Sequence, residues 1–548
     1  MQFQLWRALH CAAIFPCRSD SIVSLLHKIW DGVWTGTVAS IYEALMKIPR
    51  MMVMTRFLGP EWYGLLGLFG MARDVVGTFA QLGTGDAIIH HLSAAKAANK
   101  TEKMGATLGA AGIIRFCTLF ILIAGVVLFR PELVAQAQSL PALAAVPVDT
   151  LELILILLMV GIAVQIIEGP FGNALQGAQA WRALLVVRII SITASTALAI
   201  GAALLGLHLI GIVAAQQIGF IVTAIVVFWF YLRYVRSTLK NPTFRQSLAE
   251  VRPLLLFGLP LVLGQLFRYV YIYTDQLMLA AIGSSVAELS NYEVARNAAG
   301  LLSFVPTLLR SVMFPAASEF RVGRGRQELE ALFAFMSKHL CWIMAPLALW
   351  MTAVSPLAIR VVAGEQYAVA APALAWLAAL MVINGFGVSL FTCLVGALGR
   401  TREQFAIECF GGGLNVVLNF MLIPEYGFMG AVYATVVVKA LGLMLGSFFL
   451  SRQMRLLFPL RPAFISLIMA GGLGCILWGA MQISDWLVFL LLPVVALTYL
   501  WSTIRFGVLD TQDIAYVDRL AGKVFARFPV LQRFVIRCAV PVPDVYKL

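Results

Sequence analysis

Long apolar runs recur through this 548-residue sequence and constrain its fold more than any other feature. The hydrocarbon core of a bilayer is about 30 Å thick, so an α-helix needs about 20 mostly apolar residues to cross it. About fourteen such runs lie between residues 30 and 505, and they are continuous rather than alternating, which argues against a β-barrel. Only 12% of the residues are charged, whereas soluble proteins are about 25% charged. The sequence therefore predicts an all-α polytopic membrane protein with about 14 transmembrane helices.

The charges in the connecting segments predict the orientation of the chain. Cations concentrate in the connections after even-numbered spans, and acids are frequent in the connections after odd-numbered spans. The basic connections contain Lys96, Lys100, Lys103, Arg233, Arg236, Lys240, Arg321, Arg324 and Arg326, and the acidic ones contain Glu61, Glu132, Asp149, Glu365 and Asp485. Basic connections face the cytoplasm in most membrane proteins, so we expect both termini to be cytoplasmic.

Two stretches of the sequence form an internal repeat. Gly177-Ala178 is followed after 34 residues by Gly211, and Gly396-Ala397 is followed after the same interval by Gly430. An even number of predicted spans separates the copies, so both halves cross the membrane in the same direction. Parallel halves of this kind usually hold a substrate site between them. We therefore expect two six-helix lobes followed by two further helices.

These boundaries divide the chain into six predicted segments. They are a cytoplasmic extension (1–28), an N-lobe with spans 1–6 (29–236), a basic cytoplasmic linker (237–252), a C-lobe with spans 7–12 (253–456), spans 13 and 14 (457–506) and a cytoplasmic amphipathic tail (507–548). Apolar residues recur in the tail at roughly helical spacing, which is typical of an interfacial helix, and a solvated tail is the alternative.

Full charges interrupt the apolar runs near the start of the predicted C-lobe. Arg268 and Asp275 lie on span seven, and Glu293, Arg296 and Arg310 lie on span eight. Seven residues make two helical turns, so Arg268 and Asp275 share one helix face. A charge at the bilayer centre costs at least about 2.5–3.5 kcal/mol, so we expect these side chains to face an interior or water-filled path.

Span one carries a second charged stripe, formed by Glu43, Lys47 and Arg50. Glu43 and Lys47 are four residues apart and can partly neutralise each other. The predicted cavity has a surplus of positive charge, which comes from Lys47, Arg50, Arg268 and Arg296. The forked hydrogen-bond donors of arginine match the geometry of phosphate. We predict that these four residues bind an anionic substrate, and the alternative is that each pairs with an acid inside the bundle.

Other charged residues within the spans have simpler expected roles. Arg73 and Asp74 are predicted to form a salt bridge inside the bundle. Arg115, Arg188 and Lys439 lie near predicted cytoplasmic helix ends, where long side chains extend to the interface.

Span four carries a polar stripe at helical spacing: Gln165, Glu168, Gly172, Gln176 and Gln179. Contacts to sugar hydroxyls and hydrogen bonds between helices explain this stripe equally well.

No enzyme motif is recognisable. The sequence contains no phosphate-binding Walker A loop, so ATP is not expected to drive the chain directly. The eight cysteines and six histidines are not spaced as metal ligands or as a disulfide framework. We therefore predict no catalytic residues, no metal site and no nucleic-acid partner.

Several motifs occur in the order and spacing of a known family. TRFLGPEWYGLLGLFG (55–70) resembles an "R-LG-x-x-x-YG" start, and FGLPLVLGQLFRYVYIYTDQLMLAAIG (257–283) resembles an opening of the second lobe with Asp275 in a "D-x-x-x-L" position. Four further motifs follow in family order: NYEVA, LLRSVMFPAASE, GALGRTREQ and LNFMLIPEYGFMGAVYAT (418–435). The sequence from about residue 30 to 455 thus resembles the polysaccharide and O-antigen flippases, the Wzx-type branch of the MOP (multidrug/oligosaccharidyl-lipid/polysaccharide) exporter superfamily.

The resemblance implies a MATE-like fold in the cell inner (plasma) membrane. It implies a flippase that moves undecaprenyl-pyrophosphate-linked oligosaccharide between leaflets, in contact with membrane lipids, a polysaccharide polymerase and chain-length machinery. Similar proteins hold the pyrophosphate with cavity cations, so the resemblance assigns that role to Lys47, Arg50, Arg268 and Arg296. Glu43 and Asp275 would tune these cations or bind a coupling H⁺ or Na⁺, and no other cofactor is implied.

Three other functions compete with this interpretation. A multidrug or cation efflux pump would need an acid-rich cavity, whereas cations prevail here. A glycosyl- or phosphotransferase acting on polyprenyl carriers would need carboxylates or histidines clustered on a substantial loop. A scaffold for a polysaccharide assembly complex is the third alternative.

Overall fold

The structure is a computed structural model, and it describes residues 20–98, 100–283, 285–307, 309, 326–385, 401–451, 459–509 and 513. Regular secondary structure is helical throughout these ranges. Most of the predicted cytoplasmic extension, the charged residue Arg310 and most of the predicted tail lie outside them.

The α-helices are α1 (Asp20–Ala80), α2 (Thr84–Ala97), α3 (Thr101–Leu128), α4 (Arg130–Gln138), α5 (Val148–Gly177), α6 (Trp181–Leu204), α7 (His208–Tyr234), α8 (Phe244–Ile282), α9 (Val286–Gly300), α10 (Arg326–Ala353), α11 (Ser355–Val362), α12 (Ala371–Gly385), α13 (Thr401–Tyr426), α14 (Phe428–Ser451), α15 (Leu460–Ile483) and α16 (Asp485–Arg505). Short 3₁₀ helices occur at Pro141–Leu143, Arg236–Thr238, Leu301–Ser303 and Glu365–Ala370.

Eleven helices in the described part are long and apolar enough to cross a membrane. This confirms the prediction of an all-helical, multi-pass membrane protein. The second of the fourteen apolar runs, which hydropathy places at residues 62–90, is interrupted, because α1 ends at Ala80 and α2 begins at Thr84. Glycines and polar residues occupy the break (Gln81, Gly83, Thr84, Gly85 and Asp86), but the flanking residues are apolar enough that hydropathy alone treats 62–90 as one span.

The helices pack into two compact units, which are described separately. Unit 1 comprises Met1–Arg50, Phe69–Ala137 and Val146–Leu266, and unit 2 comprises Met51–Leu68, Gln138–Ala145 and Phe267–Leu548. Helix α8 contributes to unit 1 as far as Leu266 and to unit 2 from Phe267. The domain boundaries drawn from the sequence stay predictions.

Unit 1 is built around α5. This helix packs on α2, α3, α6 and α7, and α6 runs along α7. The apolar contact between α5 and α7 contains Ala174, Leu175 and Val227, which are at most 1% exposed. These buried side chains form one of the apolar clusters that hold the unit together.

Unit 2 contains two strongly packed helix groups. Helices α13 and α14 lie side by side, while α10 packs on both α12 and α15, and α15 packs on α16. Trp342 on α10 fixes α16, because its indole Nε1 donates to Thr503 Oγ1 at 3.1 Å and its carbonyl accepts from Tyr499 at 2.8 Å. Asp513, beyond α16, pairs with Lys338 at 2.6 Å, which ties the start of the predicted tail to α10.

The last helical hairpin of the two repeat copies has the same form. The turn between α6 and α7 contains Gly206 at φ 70°, and the turn between α13 and α14 contains Gly427 at φ 57°. Left-handed φ values favour glycine, so both copies use this residue to reverse the chain within a few positions. The start of the second copy, Gly396-Ala397, lies outside the described residues.

Candidate functional site

Asp275 is the centre of a buried polar network in unit 2. Its side chain is 8% exposed and accepts hydrogen bonds from three helices. The Tyr292 hydroxyl on α9 and the Thr435 hydroxyl on α14 donate to Oδ2, and the Asn419 amide on α13 donates to Oδ1 at 2.8 Å. Hydrogen bonds from three different helices thus converge on this one carboxyl group.

Two asparagines extend this network along α13. Asn415 and Asn419 are one turn apart, and the amide of Asn419 also donates to Asn415 Oδ1 at 3.1 Å. Asn419 is 0% exposed, and among the described residues its Oδ1 atom has no hydrogen-bond partner. A buried acceptor without a donor costs about 1–3 kcal/mol, so it marks a place where a proton donor or cation would be stabilised.

Glu293 and Arg296 form a second charged group on α9. Arg296 Nη2 donates to both carboxylate oxygens of Glu293, at 3.2 and 3.3 Å, and Asn297 donates to the same carboxylate at 3.1 Å. Glu293 is 2% exposed and packs against Gly67, where a Cβ atom would lie 3.0 Å from its Cγ. Glycine at this position makes room for the carboxylate beside α1.

Lys439 on α14 adds a further cation to the Asp275 network. It lies one turn after Thr435 and interacts electrostatically with Asp275 and with Arg296. The expectation that Lys439 extends to a cytoplasmic interface is therefore wrong. The two cations, Lys439 and Arg296, balance the charges of Asp275 and Glu293, so this part of unit 2 carries no net formal charge.

Arg268 stands apart from the other predicted site residues of unit 2. It lies two turns before Asp275 on α8, yet Arg268 is exposed while Asp275 is buried. A shared helix face therefore does not give these two residues the same surroundings. We find no ion pair for Arg268 in the described part of the chain.

The predicted stripe of unit 1 forms an exposed charge cluster. Lys47 Nζ lies 3.0 Å from Glu43 Oε1, and Arg188 Nη2 lies 3.8 Å from Glu43 Oε2. The Lys47 and Arg188 side chains are 63% and 54% exposed, so solvent or headgroups weaken these pairs. Arg188, which was expected to extend to the interface, thus shares Glu43 with Lys47. Arg50 is half-buried and has an interaction partner of its own.

Arg73 and Asp74 pair as the sequence predicts, with 2.9 Å between Arg73 Nη2 and Asp74 Oδ1. The guanidinium group also lies 4.3 Å from the centre of the Phe220 ring. This contact between a cation and an aromatic face stabilises the charge inside unit 1.

Arg115 contradicts its predicted interfacial position. It is 2% exposed, and its guanidinium group donates to Gln81, Thr84 and Ile166 at 2.9–3.1 Å. Arg115 lies in the middle of α3, inside unit 1, rather than at an end of the helix. Interfacial arginines need free access to headgroups, which this side chain lacks.

Sequence reasoning selected Asp275, Arg296 and Glu43 but missed most partners of Asp275. Asn415 and Asn419 form an i, i+4 pair inside the apolar run LNVVLNF, which is a usable signal for a polar interior face. Tyr292 and Thr435 gave no such signal, because tyrosine and threonine are common in membrane helices. Their roles depend on which helices meet α8, and a single sequence does not contain this information.

The chain resembles several known proteins. Residues 29–321 match the family described as polysaccharide biosynthesis protein. A probable low-salt glycan biosynthesis flippase of Haloferax volcanii, Agl15, is 22% identical over 444 residues, which are 79% of this chain and 87% of the relative. An uncharacterized membrane protein of Methanocaldococcus jannaschii is 23% identical over 389 residues, which are 68% and 74% of the two chains.

Solved structures show the same fold. The lipid II flippase MurJ in an inward closed conformation superposes with a TM-score of 0.65 at 15% identity, covering 88% of this chain and 99% of its own. An inward-facing MATE family multidrug resistance transporter of the MOP superfamily has a TM-score of 0.57 at 14% identity, covering 76% and 95%. The family match covers more than half of the sequence, and the fold agrees with it. The chain belongs to the polysaccharide biosynthesis protein family.

Proposed function

We propose that this protein is a flippase that transfers undecaprenyl-pyrophosphate-linked oligosaccharide repeat units across the inner membrane for O-antigen or exopolysaccharide synthesis. The observation that carries the proposal is the family match over residues 29–321. Agl15, named as a probable glycan biosynthesis flippase, supports the same substrate class.

The substrate has an anionic head, a sugar chain and a long lipid tail. In this proposal Lys47, Arg50, Arg268 and Arg296 attract the pyrophosphate, because guanidinium and ammonium groups form charge-assisted hydrogen bonds with phosphate oxygens. Lys47 and Arg268 are exposed, so they are accessible to a headgroup that arrives from the surroundings of the protein. Arg296 is held by Glu293 and must share or exchange this partner when it binds an anion.

We further propose that Asp275 binds the ion that drives transport. Oxygen atoms of the kind that Na⁺ prefers come from its carboxylate, from Asn415 Oδ1 and from the Thr435 hydroxyl. Asn419 Oδ1, which has no hydrogen-bond partner in the described part of the chain, would gain one. A proton on Asp275 is the other candidate. Either ion is a co-transported substrate, and a membrane potential contributes about 2.3 kcal/mol per charge for each 100 mV.

The cycle that we propose is alternating access. The ion and the lipid-linked oligosaccharide each bind one of the two conformations more tightly. Binding shifts the population of protein molecules toward that conformation, to an extent set by the difference in affinity. In this proposal Glu43 tunes two cations. Its carboxylate pairs with Lys47 and Arg188 and so limits how much of their positive charge is available to an anion. A polysaccharide polymerase and chain-length proteins would use the transferred product.

The direct test is a leaflet-transfer assay in proteoliposomes that contain the purified full-length protein. The substrates are an undecaprenyl-pyrophosphate oligosaccharide, the same carrier lipid without sugar, and a cationic dye. The proposal predicts transfer of the first substrate and little transfer of the dye. Transport of the dye alone would instead identify a multidrug pump, the activity named for the MATE neighbour.

A further inference from the structure

Arg115 occupies the point in unit 1 where α1 breaks from α2. Its Nε donates to Thr84 Oγ1 at 2.9 Å, and its Nη2 donates to Gln81 Oε1 at 3.1 Å. Gln81 and Thr84 bracket the break, in which Leu82 and Gly83 have φ values of 48° and 69°. The guanidinium group of Arg115 therefore connects the last turn before the break with the first turn after it.

A proline in α5 supplies the third acceptor of Arg115. An α-helical carbonyl normally accepts from the N–H four residues later, but Pro170 has no N–H to donate to Ile166. Arg115 Nη1 donates to this freed carbonyl at 3.1 Å. Gly169 leaves the necessary space, because a Cβ atom at this position would lie 2.1 Å from Nη1.

Glu168 offers Arg115 a different partner. It interacts electrostatically with Arg115, and among the described residues its carboxylate forms neither a hydrogen bond nor an ion pair. Its Oε1 lies along its own helix, 3.3 Å from the position that a Cβ atom would take at Gly172. The buried guanidinium of Arg115 therefore has two favourable arrangements. It can donate to its three neutral acceptors, or it can donate to the carboxylate of Glu168, since hydrogen bonds between charged groups are stronger than those between neutral groups.

The break is also a contact point for α8. The backbone of Gly83 touches the backbone of Gly258, and a Cβ atom at Gly83 would lie 2.2 Å from the Gly258 carbonyl oxygen. Pro260 follows within α8 and removes one of its backbone hydrogen bonds. Movement of the break would therefore displace a segment of α8 that bends easily.

We propose that Arg115 is a partner-exchange latch of unit 1. It holds the break between α1 and α2 while it donates to Gln81, Thr84 and Ile166, and it releases the break when it pairs with Glu168. The release loosens the Gly83–Gly258 contact and permits α8 to change its bend. This switch concerns the conformation of unit 1 and does not require a particular transport substrate.

Hydrogen exchange of the full-length protein in nanodiscs tests the latch. The backbone amides of residues 81–86 and 256–262 report on the break and on its contact with α8. Glu168→Gln removes the competing charge with little change of shape. The released state then loses one charge-assisted hydrogen bond and becomes less populated, so exchange in both segments should slow by about tenfold. Arg115→Lys keeps the charge but loses the forked geometry, so it should accelerate exchange there.

Two further variants complete the test. Glu152→Gln on the same helix removes an acid whose partner is Arg130, and exchange at residues 81–86 should not change. In the double variant Arg115→Lys/Glu168→Gln, the protection gained from Glu168→Gln should disappear. Unchanged or faster exchange in Glu168→Gln alone would overturn the proposal, and this result does not depend on the folding of the Arg115 variants.

Discussion

The side-chain amide of Asn419 donates to Oδ1 of Asp275 at 2.8 Å, across 144 residues of sequence. This bond joins α13 to α8 inside unit 2, and the Tyr292 and Thr435 hydroxyls complete the carboxylate's surroundings from α9 and α14. Four helices therefore depend on one charged group. Any ion that binds Asp275 changes interactions with all of them, which is the arrangement that coupling between ion binding and helix movement requires.

Asp275→Asn should abolish ion-dependent stabilisation. An ion that binds only the folded protein stabilises it by about 2.7 kcal/mol at a hundred times its Kd, and the amide lacks the charge that attracts it. We expect wild type to melt at a higher temperature in NaCl than in choline chloride, or to show a pH-dependent shift if the ion is a proton. Asp485→Asn, which removes the partner of Arg360, should keep this response. An ion response that survives in Asp275→Asn would exclude Asp275 as the binding group.

Tyr292→Phe should destabilise unit 2 by about 1–2 kcal/mol, because Asp275 loses a donor in an apolar setting. The matched control is Tyr367→Phe. Both tyrosines are at most 2% exposed, but no residue that the structure describes forms a hydrogen bond with the Tyr367 hydroxyl. Its removal should therefore change the free energy of unfolding by less than about 0.5 kcal/mol. Equal losses for the two variants, measured by denaturant unfolding in micelles, would show that the bond to Asp275 contributes nothing specific.

Glu293→Gln should increase the affinity for a pyrophosphate headgroup by about tenfold, because a cation whose side chain is only 31% exposed gains more from an anionic ligand once it has lost its counter-ion. Arg296 is the cation concerned, and its present partner is Glu293. Glu43→Gln frees Lys47 in the same way, but Lys47 is 63% exposed, so the gain there should stay within about twofold. Titration with a soluble pyrophosphate analogue measures both values. A weaker affinity in Glu293→Gln would mean that Glu293 positions Arg296 rather than neutralising it.

Gly83→Ala should destabilise the protein by about 2–3 kcal/mol, because the residue has a left-handed φ and its new Cβ would meet the Gly258 backbone. Gly125→Ala in α3 is the control, since a Cβ there meets no atom within 4 Å. This second variant should be neutral or more stable by up to about 1 kcal/mol, because alanine favours the helix. Thermal unfolding in the same detergent compares them, and a benign Gly83→Ala would refute the tight contact at the break.

The sequence predicts the class of fold because bilayer thickness imposes a minimum length on apolar helices. It does not predict where a helix breaks inside an apolar segment. The break at Leu82–Gly83 is stabilised by Arg115, a residue 31 positions away from Thr84, and depends on a tertiary contact. Gly83 and Gly85 at the break are only a weak local signal, because glycine is common in membrane helices, and hydropathy alone does not indicate the break.

The candidate site is predicted to a lesser extent. Asp275 and Arg296 were identified because charges in apolar helices are rare and costly. The same argument placed Arg268 and Asp275 on one helix face, but only Asp275 is buried, because burial depends on the neighbouring helices rather than on helix periodicity. Lys439 and Arg115 were misplaced for the same reason: a position near a predicted helix end does not reveal whether another helix covers the side chain.

The most direct test of the proposed function is leaflet transfer of an undecaprenyl-pyrophosphate oligosaccharide by Arg268→Ala and Arg296→Ala in proteoliposomes. Arg233→Ala is the control, because this arginine is exposed at the end of α7 and outside the proposed binding set. We predict that each of the first two variants transfers the substrate at least about tenfold more slowly than wild type, because each loses one charge-assisted contact to phosphate. The control should keep the wild-type rate. Wild-type rates in folded and inserted Arg268→Ala and Arg296→Ala would contradict the claim that these arginines bind the pyrophosphate.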